Sequence, residues 1–135
     1  LPMAVDEKQS ERPLRVLLVD DEEPYVNVLQ KRMSKRNIDV TAALSGGEAI
    51  QALRKSDFDV ALLDLKMEDM DGIEVLKIIK KMAPEIKVIM VTGHGSEQAA
   101  RDGMALGAFD YLTKPCDLNE LLAKIHEAYD SRQTA

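Results

Sequence analysis

Val60-Ala61-Leu62-Leu63-Asp64 is a short apolar run that stops abruptly on a carboxylate. A run of about four to eight apolar residues between polar neighbours suits a strand buried on both faces, as in a parallel sheet. An aspartate closing such a strand stands at the rim beyond the carboxyl ends of the strands, where open α/β sheets bind ligands. Three other apolar runs close on chemistry-bearing side chains: Val16-Leu17-Leu18-Val19 on Asp20-Asp21, Val88-Ile89-Met90-Val91 on Thr92, and Phe109-Asp110-Tyr111-Leu112 on Thr113-Lys114-Pro115. Carboxylates, a hydroxyl and an ammonium are thereby expected along one edge, with Asp64 as the reactive centre.

The 135 residues fit one domain that can bury a core without disulfides or a structural metal, and 45% hydrophobic with 31% charged residues is ordinary for a globular protein. A net charge of −6 argues against direct nucleic-acid binding, which favours a basic surface. One cysteine, Cys116, rules out an internal disulfide and suits a reducing compartment. No apolar run approaches the roughly 20 residues that span a bilayer, and no secretory pattern precedes the first strand, so a cytoplasmic protein with no membrane partner is expected. Leu1 to Pro13 is polar and aperiodic; residues 1–13 are expected to be a lead-in outside the fold, disordered or not native to the chain. The domain is expected over 14–130, with 131–135 as a tail or the start of a linker.

Around the central strand the chain alternates. Leu14–Val19 reads as the first strand; Pro24 suits the first turn of a helix, Val26, Leu29 and Met33 follow at helical spacing, and Asn37 is a terminator. Ile38–Leu44 is a more polar, edge-like strand. Ser45-Gly46-Gly47-Glu48 matches a capping box opening a helix to about Lys55. Phe58–Leu63 is the third strand, followed by the loop Leu65–Asp71, Gly72, and a helix with Ile73, Leu76, Ile79 and Met82 on one face that Pro84 ends. Ile86–Val91 is the fourth strand, and Thr92-Gly93-His94-Gly95-Ser96 a flexible loop with an N-cap at Ser96. The helix to Leu106 is the weakest, interrupted by Gly103. Ala108–Leu112 is the fifth strand; Asp117 caps the last helix, Glu120 completes its box, and Leu118, Leu121, Leu122, Ile125 and Tyr129 form its buried stripe. Five alternations predict an α/β fold with a doubly wound parallel sheet.

Asp20, Asp21 and Asp64 at one rim would repel one another and raise their pKa values unless a cation neutralised them. An all-oxygen set with room for water favours Mg²⁺ over Ca²⁺, and no Cys/His set for zinc exists. Lys114 adds one more positive charge. Phosphoryl transfer needs mainly positioning and charge neutralisation, and a carboxylate can be the nucleophile. Thr92 would offer its hydroxyl to one phosphoryl oxygen, Lys114 would pair with another, and Gly93 leaves space for a donor.

Asp20-Asp21 after the first strand, Asp64 after the third, Thr92 after the fourth, and Tyr111 with Lys114-Pro115 around the fifth resemble the receiver domain of two-component response regulators, over roughly Leu14 to Tyr129. The resemblance implies a flavodoxin-like, five-stranded sheet of order 2-1-3-4-5 with five helices; a receiver is the general example of that order. It implies that Asp64 accepts a phosphoryl group from a phosphohistidine on a sensor histidine kinase or phosphotransfer protein, and that a downstream effector or linked output domain reads the result from the face made by the fourth helix, fifth strand and fifth helix. Asp21, Asp64 and the main-chain carbonyl of Lys66 would ligate Mg²⁺ directly, and Asp20 largely through water. Thr92 and Tyr111 would be the switch pair, and the Lys114-Pro115 bond would be cis. Lys66 and His94 flank the phosphoryl position, where receivers vary, and are expected to tune its lifetime. One residue departs from the pattern: in Met67-Glu68-Asp69-Met70-Asp71-Gly72, Glu68 stands where the family carries proline, which is expected to loosen the loop and add negative charge.

Two other functions compete. Haloacid-dehalogenase-type phosphatases also join Asp, Thr, Lys and Mg²⁺ on an α/β sheet, but they carry a general-acid aspartate two residues after the nucleophile, where this chain has Lys66, and the chain has no cap domain. A receiver-like binding module working unphosphorylated is the other, and the presence of all five key residues tells against it. No enzymatic activity is expected beyond phosphorylation and dephosphorylation of the chain itself. A homodimer formed on phosphorylation is compatible with the same reading. Taken singly, Asp20-Asp21-Glu22-Glu23 would complement a helix dipole, Tyr111 would be core, His126 surface, Met67 and Met70 packing residues, and Cys116 structural.

Overall fold

The period of two along each strand sorts its side chains between two cores. In β1 (Leu14–Val19), Leu17 and Val19 enter one cluster while Val16 and Leu18 enter the other. In β3 (Val60–Asp64), Ala61 and Leu63 oppose Val60 and Leu62 in the same way, and in β4 (Lys87–Thr92) Val88 and Met90 oppose Ile89 and Val91. A strand buried on both faces is the parallel-sheet signature read from the apolar runs. The structure, a computed structural model, describes residues 12–93 and 96–133.

With β2 (Ile38–Ala43) and β5 (Asp110–Thr113), the strands form one parallel sheet in the order β2-β1-β3-β4-β5. The helices are α1 (Glu23–Ser34), α2 (Gly46–Lys55), α3 (Gly72–Met82), α4 (Glu97–Ala105) and α5 (Leu118–Gln133). Val26, Leu29 and Met33 of α1 share a core with Leu121, Ile125 and Ala128 of α5; Ala49 of α2, Val75, Leu76 and Ile79 of α3 and Ala100 of α4 line the other. Doubly wound, order 2-1-3-4-5 with five helices, the fold is the flavodoxin-like one expected.

Several boundaries differ from the sequence reading. β2 ends at Ala43, and β3 starts at Val60, after Phe58 and Asp59. β5 begins at Asp110, and α5 runs to Gln133, past the domain end expected at 130. Ser96 is the N-cap of α4 by position, yet its hydroxyl makes no capping bond; it is buried with no partner among the described residues. Gly103 does not interrupt α4. It lies buried against Met90, whose sulfur and methyl would collide with a Cβ there, so its lack of a side chain serves close packing on β4. Asn37 takes a φ of 60°, the left-handed turn that ends the α1 segment.

At the amino end of β3, Asp59 is 2% exposed and gathers three arginines. Its Oδ2 accepts the Arg15 main-chain N–H (2.9 Å), and its Oδ1 accepts from Arg132 Nη1 (2.8 Å) and Arg12 Nη2 (3.5 Å). Buried charge is tolerated only when paired, and deleting one partner strands the others. Asp59→Ala is therefore expected to cost about 2 kcal/mol in urea denaturation, with no change in Mg²⁺ response. A loss under about 0.5 kcal/mol would show that the arginines are hydrated without it.

Candidate functional site

Because all strands are parallel, their carboxyl ends share one rim, and the chemistry-bearing residues collect there. Asp20 follows β1, is 2% exposed, and accepts the Glu22 N–H at Oδ1 (2.9 Å). Asp21 is half-buried and accepts the Glu68 N–H at Oδ2 (3.2 Å). Asp64 closes β3, is 7% exposed, and accepts the Lys66 N–H at Oδ1 (3.1 Å). One carboxylate oxygen from each of Asp20, Asp21 and Asp64 lies within 4.8 Å of the others.

Lys114 enters from the end of β5. Its Nζ pairs with Asp20 Oδ2 (2.7 Å) and Glu22 Oε1 (2.8 Å) and lies 4.5 Å from the centre of the Tyr25 ring. Its main-chain N–H donates to the Thr92 carbonyl (2.6 Å), and the Lys114-Pro115 bond is cis as expected. Thr92 is buried, with Oγ1 donating to the Leu112 carbonyl (3.5 Å). Tyr111 is 43% exposed, which excludes a core role. Lys66 is exposed, and its main chain bridges to Asp71 across the base of the loop. His94 lies outside the described residues. Met67 and Met70 pack against the core, His126 is exposed, and Cys116 is a free thiol packed against the α1–α5 core.

Charge at this rim is unbalanced. Burial raises the pKa of Asp64; the Lys66 N–H and Lys114 pull it back, and Asp20 and Asp21 push it up again. For Lys114, burial works against the ammonium, but hydrogen bonds to Asp20 and Glu22 outweigh it and carry the pKa above the usual lysine range. Tyr25 is pushed up to about 12, chiefly by burial and then by Cys116, against the pull of Lys114. A second cation would relieve Asp64. The donors are all oxygen and one of them is half-buried, so a hard divalent ion that keeps part of its water fits them.

Four contacts at the site were not read from the sequence. Glu22 shares Lys114 with Asp20, Tyr25 stacks on it, Asp69 accepts the Gly46 and Gly47 N–H groups (3.0 and 3.2 Å), and Glu68 gives its N–H to Asp21. Glu22 had a weak signal, as the third acid of a run that outnumbers the charges a metal needs. The others had none, because their partners are distant in sequence. The loop that carries Glu68 is tied on both sides, by its own N–H to Asp21 and by Asp69 to Gly46 and Gly47.

The profile of the response regulator receiver domain matches residues 16–126. Transcriptional regulatory protein ZraR of Escherichia coli (strain K12) is 37% identical over 113 residues, covering 84% of this chain and 26% of that protein. DNA-binding transcriptional regulator NtrC of Proteus hauseri is 39% identical over 113 residues, covering 84% of this chain and 24% of that protein. This chain thus spans about a quarter of the length of these relatives. Among solved structures, a CheY-like response regulator receiver domain protein from Methanospirillum hungatei JF-1 superposes with a TM-score of 0.87 at 32% identity, covering 90% of this chain and 98% of that one. Among the described residues no helix is long and apolar enough to cross a membrane.

Proposed function

The chain belongs to the response regulator receiver domain family, two-component signalling proteins, and from that premise we propose that Asp64 is its phosphoacceptor, in a Mg²⁺-dependent reaction. The observation that carries this is the convergence of Asp20, Asp21 and Asp64 within 4.8 Å beside the Lys114 ammonium.

Asp21, Asp64 and the Lys66 carbonyl would hold Mg²⁺ directly, with Asp20 acting through water; the ion would neutralise charge on the phosphoryl oxygens. Lys66 N–H holds Asp64 Oδ1, which leaves Oδ2 to attack phosphorus of a phosphohistidine. The new bond is O–P; the P–N bond breaks, and the imidazole nitrogen leaves with its electron pair. Lys114 exchanges a carboxylate partner for a phosphoryl oxygen, and Thr92 Oγ1 turns from the Leu112 carbonyl toward another. That turn is the first step of the switch, with Tyr111 as its second member. Lys66 and His94 set how long the aspartyl phosphate survives.

The donor is a sensor histidine kinase or phosphotransfer protein in the cytoplasm. The reader, a downstream effector or linked output domain, faces α4, β5 and α5, where Met104, Leu106 and Tyr111 are exposed.

Intact mass after incubation with a small phosphodonor tests the proposal. One phosphoryl group added with Mg²⁺ and none after chelation is expected. No adduct under either condition would overturn it and leave a module that binds partners unphosphorylated.

A further inference from the structure

Between β3 and α3 the loop Leu65–Asp71 is gripped from two sides by consecutive residues. Glu68 gives its N–H to Asp21 Oδ2 (3.2 Å). Asp69 reaches the other way: Oδ1 accepts from Gly46 N–H (3.0 Å) and Oδ2 from Gly47 N–H (3.2 Å). Those are the first two residues of α2, whose opening N–H groups have no acceptor within their own helix. Ser45 Oγ takes the third, from Glu48 (3.1 Å), so the side chains of Ser45 and Asp69 divide the helix start between them. The Gly46 bond, more than the opposing desolvation, holds the Asp69 carboxyl below the usual range, with Gly47 assisting. Met70 seats on Gly46, where a Cβ would come within 3.0 Å of Met70 Cβ; the missing side chain lets loop and helix approach. A proline at position 68 has no N–H. The bond to Asp21 therefore needs a residue other than proline at this position, which Glu68 supplies.

We infer that Asp69 is a positioning residue for the metal: by anchoring the loop to the start of α2 it holds the Lys66 main chain and the Glu68 N–H against the acidic cluster. Its partners are Gly46 and Gly47, and it is not one of the three clustered carboxylates. The inference rests on the reading of that cluster as a Mg²⁺ site. Partners that orient metal ligands from outside the ligand set are commonly worth about 10- to 100-fold in affinity.

Calorimetric titration of the whole chain with Mg²⁺ tests it, read together with amide exchange at Gly46 and Gly47. Asp69→Ala is expected to bind Mg²⁺ about tenfold more weakly, with faster exchange at both glycines and an intact fold. Asp69→Asn keeps one accepting oxygen and should fall between; it decides the matter if the alanine variant does not fold. Glu68→Pro should weaken binding and Glu68→Gln, which keeps the N–H, should not. Wild-type affinity in both Asp69 variants would overturn the inference while leaving the metal site standing. A wild type that binds no Mg²⁺ would overturn the site and the inference together.

Discussion

Asp64→Asn is expected to take up no phosphoryl group and, in the same molecule, to melt a few degrees higher than wild type when Mg²⁺ is absent. The first effect follows from removing the only proposed nucleophile. The second follows from charge. Asp64 is buried next to Asp20 and Asp21, and its pKa is raised in the folded state, mainly by that burial. A carboxyl whose folded pKa exceeds its unfolded value binds its proton more tightly when folded. Its contribution to stability is therefore full below the unfolded pKa and lost as pH rises through the folded one. Near neutral pH the contribution is gone and the ionised group is a liability. Asparagine keeps the shape without the charge, for a gain on the order of 1 kcal/mol. The gain should shrink as pH falls into the carboxylate range, where wild-type Asp64 is itself protonated. Added Mg²⁺ should raise the melting temperature of wild type more than that of the variant. Melts at neutral and mildly acid pH, with and without Mg²⁺, read all three trends. A variant less stable than wild type without metal would contradict this account of the rim.

Gly72→Ala is expected to lower stability by about 3–5 kcal/mol, among the largest effects of any single change here. Gly72 opens α3 where the chain doubles back on β3, and its N–H donates to the Leu65 carbonyl (3.2 Å). A Cβ at this position would run into Leu65 Cα and sit 2.8 Å from the Leu65 oxygen and 2.9 Å from that of Asp64. All three obstacles are backbone, so no side chain can swing aside; the β3–α3 junction itself must open, beside Asp64. Gly47→Ala is the matched control. Its Cβ would meet only Ser45 Oγ at 3.9 Å, and alanine favours the helix it enters. Urea midpoints should separate the two clearly, and a Gly72→Ala loss under about 1 kcal/mol would mean that the junction relaxes more easily than backbone contact allows.

Strand-end residues were readable in advance because a parallel sheet turns sequence into position. Each apolar run must end at the same rim, so Asp20, Asp21, Asp64, Thr92 and Lys114 could be brought together without knowing any distance. The alternation of the two cores was readable for a similar reason, once both faces of the sheet had to be covered. What escaped depends on pairs with no local signature. Lys114 meets Glu22 across 92 residues, Arg132 meets Asp59 across 73, and Asp69 meets Gly46 across 23. Gly103 misled because a glycine lowers helix propensity whatever its neighbours, while its use here is set by Met90 on another element. The polar ending from Ser131 reads as a tail or the start of a linker, yet Arg132 lies within the last helix and its guanidinium bonds Asp59.

The Asp59 cluster also fixes where the polypeptide arrives and departs. Arg12, just ahead of β1, and Arg132, near the end of α5, hold one and the same carboxylate oxygen. Five residues of strand separate that oxygen from the acid rim, roughly 16 Å at the rise of a parallel strand. Arg12 and Arg132 thus meet at the end of the strands opposite the chemistry. A module with that plan can be spliced into a surface loop of a host protein through two short connectors, and strain imposed at the junction would fall on the arginine latch before it reached Asp64.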